Sequence, residues 1–293
     1  MKTSPEVCQE TFDTGRQDIC RPKPTKVAFI DLDGTCYSGQ EYEDVKSGFQ
    51  EELIRKIYDL RQKNGEELSS FPQFMEETIA KYNEKAKEVG FPRACLEVGG
   101  NATITRLINE NFDFAHDISP NPTMRTMLEQ LRMSGFAIAL VTGNLEKQTG
   151  EILKKILGND GPDLFDVIIT QQTKNVRQKP WSSPFMKALE TLQQRFPDLI
   201  NPEEIWAIGD TYSTDIRPAK KAAKRLGISN SHFNGVLIGL PDLEEGPKKH
   251  VLAEDLDRVY ILRELSRFGR FLEALEKRRQ RLEEYAATEK TAR

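Results

Sequence analysis

The sequence predicts an α/β fold with a parallel sheet, and two observations support this prediction. Five short apolar runs, at residues 27–30, 136–141, 167–169, 205–208 and 236–238, have the composition of strands that are buried on both faces. Stretches with helical spacing of apolar residues separate these runs, at residues 124–133, 148–157, 184–195 and 216–226. Strands and helices that alternate in this way form a parallel sheet with right-handed crossovers.

The connection between the first and second runs is much longer than a crossover requires. It spans about a hundred residues, whereas about a dozen are sufficient. Apolar residues recur in it at helix spacing, in two long segments and a shorter third. They are Val45, Phe49, Leu53, Ile57 and Leu60, then Phe71, Met75, Ile79, Tyr82 and Ala86, and finally Ile104, Leu107 and Ile108. We therefore expect residues 38–116 to form a helical subdomain inserted after the first strand.

The two ends of the chain have different patterns. Residues 1–25 are polar and lack periodicity, which predicts a disordered leader. Residues 261–293 are rich in charge and carry apolar residues in alternating steps of four and three, which predicts a helix. These are Ile261, Leu265, Phe268, Leu272 and Leu275. The helix either packs on its own domain or dimerises; we favour the first because five positions are few for a coiled coil.

Composition excludes several classes of protein. A net charge of −4 and an isoelectric point near 5.7 argue against nucleic-acid binding, which favours basic surfaces. No apolar run is long enough to cross a membrane, and the polar start of the chain does not resemble a secretory signal. The four cysteines form no CxxC pair, so we expect a cytoplasmic protein without structural zinc or a disulfide framework.

Polar residues with useful chemistry follow the predicted strands. In chain order they are Asp31 and Asp33 after the first run, Thr142 and Asn144 after the second, Lys179 before the fourth, with Lys174 as a rival, and Asp210 and Asp215 after the fourth. Taken singly, each has an ordinary explanation as a turn, a helix cap or a surface charge. Taken together they indicate a site, because ligands of parallel sheets bind beyond the carboxyl ends of the strands.

The residue types suggest which ligands this site takes. Carboxylates that crowd together raise one another's pKa and stay ionised only beside a cation. Mg²⁺ prefers such oxygen ligands and bridges to phosphate. A threonine hydroxyl and a lysine ammonium are suitable donors to phosphoryl oxygens. The sequence therefore predicts a magnesium site that also binds a phosphoryl group.

These residues lie in motifs that resemble those of the haloacid dehalogenase superfamily. "DLDGT" resembles its first motif, "LVTGN" its threonine motif, "QKPWSSPF" its lysine motif and "IGDTYSTD" its acidic motif. "GVLIG" and "KKHVLAEDL" resemble its fifth strand and the strand and helix that follow. The resemblance covers roughly residues 26–260. It implies a Rossmann-like, doubly wound core at residues 26–37 and 117–260, with residues 38–116 as an inserted cap.

The resemblance also implies a role for each residue. Asp31 is expected to be the nucleophile that forms an aspartyl-phosphate. Asp33 is expected to act first as general acid and then as general base. Thr142, Asn144 and Lys179 are expected to hold phosphoryl oxygens.

The same resemblance implies a set of metal ligands. Asp31, Asp210 and the backbone carbonyl of Asp33 are expected to ligate Mg²⁺, with Asp215 as a further ligand or close behind them. An acid at the position of Asp33 favours phosphate chemistry, because the dehalogenases of the superfamily lack it. Cys36 replaces the usual leucine of the first motif, and we expect a packed thiol rather than a redox-active one.

Three functions remain open at this point. The favoured one is a Mg²⁺-dependent phosphatase for a small phosphorylated metabolite, acting as a monomer or homodimer. A phosphomutase or phosphotransferase would use the same nucleophile, and a non-catalytic interaction protein would use only the fold. We expect specificity to lie in the insert and its hinges, near Tyr37 and the loop at residues 90–101 with Arg93.

Overall fold

The fold was determined as a computed structural model of the chain. It describes residues 21–37, 39–89, 97–100, 104, 108, 111–239 and 258–291. The predicted segments around residues 1–20, 90–96 and "KKHVLAEDL" therefore lie outside the described residues.

A six-stranded parallel sheet forms the centre of the molecule. Its strands are β1 (Lys26–Ile30), β2 (Phe136–Val141), β3 (Val167–Ile169), β4 (Glu204–Gly209), β5 (Phe233–Ile238) and β6 (Val259–Leu262). The order across the sheet is β3-β2-β1-β4-β5-β6, and every neighbouring pair is parallel. The chain thus runs outward from β1 in one direction and then crosses to its other side, which confirms the predicted α/β class with a doubly wound sheet.

Helices cover both faces of this sheet. The α-helices whose bounds the structure describes are α1 (Gln40–Lys63), α2 (Phe71–Val89), α3 (Pro122–Met133), α4 (Glu146–Leu157), α5 (Ser183–Arg195), α6 (Arg217–Arg225) and α7 (Phe268–Thr291). Buried side chains of α5 and α6 share one apolar cluster with Val27 and Phe29 of β1. Buried side chains of α3 and α4 share the other with Ala28 and Ile30. Because successive residues of a strand point to opposite faces, both must be apolar, which explains the continuous apolar runs.

The long connection after β1 contains α1 and α2, as predicted. Val45, Phe49 and Leu53 lie on the buried face of α1. In the predicted third segment, Ile104 and Ile108 are helical and buried. The buried residues of this insert belong to the same apolar cluster as one face of the sheet. The boundaries of the insert at residues 38 and 116 stay a prediction.

The C-terminal segment differs from its prediction. Ile261 lies in β6 and is 42% exposed, and α7 begins at Phe268 rather than at residue 261. Val259, Tyr260 and Ile261 have high strand propensity, and β5 provides backbone partners for them. The helical spacing that begins at Ile261 therefore spans two elements, β6 and α7. The start of α7 packs on the domain itself, with the Phe268 ring 5.3 Å from that of Trp206, which supports the favoured interpretation of this helix.

Part of the predicted leader also lies against the core. Arg21 donates two hydrogen bonds to the carboxylate of Asp166, over 2.6 and 2.9 Å. The Asp166 side chain is fully buried and accepts a further bond from the Ile138 backbone N–H. Residues 21–25 are therefore tied to the sheet, whereas the sequence placed them in the leader.

Within the part of the chain that the structure describes, every helix is too short or too polar to traverse a lipid bilayer.

Candidate active site

The sheet brings three of the predicted site residues to one edge. Asp31 follows β1, Thr142 follows β2 and Asp210 follows β4. Because β1 lies between β2 and β4 in parallel register, the carboxyl ends of the three strands adjoin. The backbone N–H of Asp31 continues this pairing with a 2.9 Å hydrogen bond to the carbonyl of Ile208.

Three carboxylates form a group that fits a divalent cation. Asp31, Asp210 and Asp215 each offer one oxygen, and these oxygens all lie within 4.8 Å of one another. A single π-helical turn at Tyr212–Ile216 returns Asp215 towards the end of β4. Its Oδ2 accepts a 3.0 Å hydrogen bond from the Thr211 backbone N–H. A set of carboxylate oxygens is the donor set that Mg²⁺ prefers.

Glycines make this close approach possible. A Cβ at Gly209 would lie 2.4 Å from the side chain of Asp215, and one at Gly34 would lie 2.6 Å from Oδ2 of Asp210. Gly34 also has a φ of +71°, a conformation that glycine adopts readily. Both positions therefore require glycine if the carboxylates are to keep their places.

Lys179 lies between two of these three carboxylates, those of Asp31 and Asp215. Its Nζ donates to Oδ1 of Asp31 over 2.6 Å and to Oδ1 of Asp215 over 2.7 Å. The lysine side chain is only 11% exposed, whereas the rival Lys174 is exposed. Burial lowers the pKa of Lys179, but the two carboxylates outweigh it, so the net pKa lies above the ordinary value. Lys179 is therefore held as a cation.

One ammonium does not balance four carboxylates. Burial raises the pKa of Asp31 well above its usual range, against the opposing effect of Lys179. Burial, followed by the charge of Asp215, raises the pKa of Asp210 to about 6. A divalent cation at this point would reverse both effects and keep the carboxylates ionised.

The carboxylate of Asp33 is not part of this group of three carboxylates. Its Oδ1 accepts a 2.5 Å hydrogen bond from the Tyr37 hydroxyl and a 2.9 Å bond from Nδ2 of Asn144. Burial raises its pKa, and these two hydrogen bonds oppose the rise. The predicted metal contact of Asp33 was its backbone carbonyl, and that contact stays a prediction.

Two of these partners were not foreseen in these roles. The sequence assigned Asn144 to a phosphoryl group, whereas its side-chain amide binds Asp33. For Tyr37 the sequence predicts only a position near a hinge of the insert. A tyrosine four residues after an acid, with a glycine turn between them, was the signal available in the sequence.

Thr142 is placed as a donor. It is 1% exposed, and its Oγ1 accepts a 3.1 Å hydrogen bond from the Asn144 backbone N–H. Within the described residues, no hydrogen bond uses the hydroxyl hydrogen of Thr142. The Thr142 hydroxyl is therefore available to donate a hydrogen bond to an oxyanion bound next to β2.

Cys36 has the environment of a packed thiol. It is buried, and its Sγ donates to the backbone carbonyl of Asp31 over 3.1 Å. Burial and the nearby Asp31 raise its pKa well above the ordinary value. The thiolate needed for redox chemistry is therefore disfavoured, in agreement with the expected packing role.

Comparisons with known proteins found several similar chains. The chain is 33% identical over 123 residues to a phosphoglycolate phosphatase from Aquifex aeolicus, a match that covers 42% of this chain and about half, 53%, of that protein. A putative β-phosphoglucomutase from Thermotoga maritima matches with 20% identity and a TM-score of 0.44, over 85% of this chain and 98% of the other. The putative hydrolase YfnB from Bacillus subtilis, solved with magnesium, matches with 16% identity and a TM-score of 0.46, over 85% and 99%.

A sequence model of the haloacid dehalogenase-like hydrolases matches residues 25–223. This span includes every predicted site residue and more than half of the chain. The protein is therefore a member of the haloacid dehalogenase-like hydrolase family.

Proposed function

We propose that the protein is a Mg²⁺-dependent phosphatase that hydrolyses the phosphomonoester of a small metabolite through an aspartyl-phosphate on Asp31. The main support is the ion-paired arrangement of Asp31, Lys179 and Asp215 with a second, separately held acid, Asp33, at the same edge of the sheet. The similarity to a phosphoglycolate phosphatase agrees with this reaction class.

In the proposed first step, a carboxylate oxygen of Asp31 forms a bond to phosphorus. The bond from phosphorus to the leaving oxygen breaks, and that oxygen takes a proton from Asp33. Thr142 and Lys179 donate hydrogen bonds to the phosphoryl oxygens, which orients the group and stabilises its charge.

In the second step, Asp33 takes a proton from water as the water oxygen attacks phosphorus. The bond between phosphorus and Asp31 breaks, which releases inorganic phosphate and restores both acids. Asp31, Asp210, Asp215 and the carbonyl of Asp33 would hold Mg²⁺, which supplies positive charge against the phosphoryl oxygens.

The crowding of carboxylates is the argument against a purely structural role. Keeping several acids together under partial burial costs free energy unless a cation or substrate compensates it. An interaction scaffold has no physical need for such a group. The helical insert after β1 suits a lid that excludes water and large substrates, and the acidic net charge does not suit a nucleic-acid partner. We propose that the protein acts as a monomer or a homodimer.

The decisive experiment is phosphate release from a panel of phosphomonoesters with Mg²⁺ or with EDTA. The panel contains phosphoglycolate, sugar phosphates, nucleoside monophosphates and p-nitrophenyl phosphate. We expect Mg²⁺-dependent release that falls to background in Asp31→Asn. Analysis of the products distinguishes hydrolysis from transfer to a second sugar or alcohol.

Asp198→Asn is the matched control. Asp198 is half exposed and pairs with Lys23 at the surface, so removing its charge leaves the site intact. Turnover that persists in Asp31→Asn, or that is equal in EDTA, contradicts the proposed reaction.

A further inference from the structure

We propose that Tyr37 and Asn144 are positioning residues that commit Oδ1 of Asp33 to the protein, so that Oδ2 alone exchanges the proton with substrate and water. This inference rests on the proposed function, because it concerns the acid that the reaction uses.

The contacts at Asp33 are one-sided. The Tyr37 hydroxyl, at 2.5 Å, and the Asn144 amide, at 2.9 Å, both donate to Oδ1. A carboxylate oxygen has two lone pairs directed at donors, so these two bonds saturate it. Among the described residues, no hydrogen bond is made to Oδ2. A proton on this carboxyl group therefore resides on Oδ2, since a proton on Oδ1 would have to displace one of the two donors.

Tyr37 is held firmly enough to have this effect. It is 5% exposed, and its backbone forms an isolated parallel bridge with that of Asp33. The turn between them is closed by the backbone N–H of Cys36, which donates to the carbonyl of Leu32 over 2.8 Å. The hydroxyl therefore approaches Asp33 from a fixed direction.

The ring of Tyr37 also contacts the insert. It packs edge to face against the ring of Tyr42 in the first turns of α1, with centroids 6.1 Å apart. Asn144, by contrast, belongs to the loop after β2 in the core. Asp33 is thus held from two sides, by a residue at the entry to the insert and by one in the sheet.

Both proton transfers of the proposed reaction use Oδ2 of Asp33. In the first, the proton on Oδ2 moves to the leaving oxygen as its bond to phosphorus breaks, and Asp33 becomes a carboxylate. In the second, Oδ2 takes a proton from the attacking water, and the carboxyl is restored. Oδ1 keeps its two hydrogen bonds throughout, so the side chain does not rotate between steps.

The test measures how kcat/KM depends on the leaving group. p-Nitrophenyl phosphate, phenyl phosphate and benzyl phosphate have leaving groups of similar size but increasing need for a proton. We expect Tyr37→Phe to lower kcat/KM for benzyl phosphate by about 10-fold or more, which is part of the roughly 10²–10⁴-fold that general-acid catalysis contributes. The p-nitrophenyl ester should be affected least, so the ratio between the two substrates widens.

This readout separates positioning from a structural effect. A merely structural loss lowers kcat/KM equally for all three esters and leaves the ratio unchanged, and that result overturns the proposal. An unaltered Tyr37→Phe enzyme overturns it as well. Tyr58→Phe is the matched control, because it removes a tyrosine hydroxyl that donates to the Ser69 carbonyl, over 3.1 Å, within the insert. Its ratio should equal that of the wild type.

Two further variants make the test robust. Asn144→Ala removes the second donor and should widen the ratio in the same direction, which covers the case in which Tyr37→Phe fails to fold. The double variant with Tyr37→Phe and Asp33→Asn should have the same ratio of kcat/KM values as Asp33→Asn alone, because both changes act through one acid. A ratio that does not change in Asp33→Asn contradicts the proposed acid, and absence of turnover in the wild type contradicts the proposed function, on which this inference depends.

Discussion

Gly34 connects the backbone of the first motif to the group formed by Asp31, Asp210 and Asp215. Its φ of +71° disfavours any other residue, and the space beside it is taken by Oδ2 of Asp210. "Asp-Gly" in the sequence indicated only a turn. The contact with Asp210 comes from a strand that lies much later in the chain, so the sequence could not reveal that this glycine serves the site.

We predict that Gly34→Ala weakens Mg²⁺ binding by about 10-fold or more, because the new Cβ displaces a metal ligand from its place. Titration calorimetry with Mg²⁺ measures the effect directly.

Gly65→Ala provides the control for backbone strain. Gly65 has a φ of +78°, but a Cβ added there would meet no atom within 4 Å, so the substitution costs only the strain of about 1–2 kcal/mol. Equal Mg²⁺ affinities in the two variants would contradict the proposed role of the contact between Gly34 and Asp210.

At the scale of elements, α1 shows how far periodicity predicts packing. Val45, Phe49, Leu53 and Ile57 were expected on one face, and all four are buried. Leu60 continues the same spacing but is 38% exposed. The pattern locates the apolar face of a helix, whereas the extent of the neighbouring elements decides which of its residues are covered.

Leu53→Ala should therefore lower the free energy of unfolding by about 2–5 kcal/mol, and Leu60→Ala by less than about 1 kcal/mol. Leu53 is 0% exposed and belongs to the apolar cluster that contains Trp206. Urea denaturation followed by fluorescence measures both, in a Trp181→Phe background in which Trp206 is the sole remaining tryptophan.

This design also tests whether the insert and the sheet unfold together. Trp206 lies in β4, far along the chain from α1. If Leu53→Ala leaves the transition reported by Trp206 unchanged, the insert unfolds separately and the shared cluster is not cooperative.

The last strand and helix show where periodicity misleads. Ile261, Leu265 and Phe268 have a helical spacing, but residues 259–262 instead pair with the edge of β5 and form β6. A short apolar segment suits either state, and the neighbouring strand decides between them.

At the scale of the whole molecule, the fold concentrates negative charge at one edge of the sheet. The ordinary pKa of Asp210 is 3.8, and burial raises it to about 6. The folded protein thus binds this proton more tightly than the unfolded chain does. The contribution of this bound proton to the free energy of unfolding is present below the unfolded pKa of about 4. It is lost as the pH rises through about 6.

Mg²⁺ competes with this proton, because it binds the ionised carboxylate. We predict that the rise in Tm caused by excess Mg²⁺ is small near about pH 5 and increases to a plateau above about pH 7. Thermal unfolding with and without Mg²⁺ across this range measures it. Asp210→Asn should lose the rise at every pH, and a rise in the wild type that is independent of pH would contradict the linkage.

The sequence by itself determined the α/β class, the strands β1 to β5, the helical insert and the identity of the polar residues at the strand ends. These are local properties, since apolar runs, helix spacing and the residues that follow a strand are all read within a few positions. The sequence also predicts that these polar residues share one edge of the sheet, because the carboxyl ends of parallel strands lie at the same edge.

Only the tertiary structure decided how those residues pair. Lys179 rather than Lys174 meets Asp31, 148 positions away in the chain, and Asn144 reaches Asp33 across 111 positions. Each contact depends on the packing of several elements at once, whereas local pattern specifies only the elements. The donors that orient Asp33 could therefore be recognised only after the chain had brought them together.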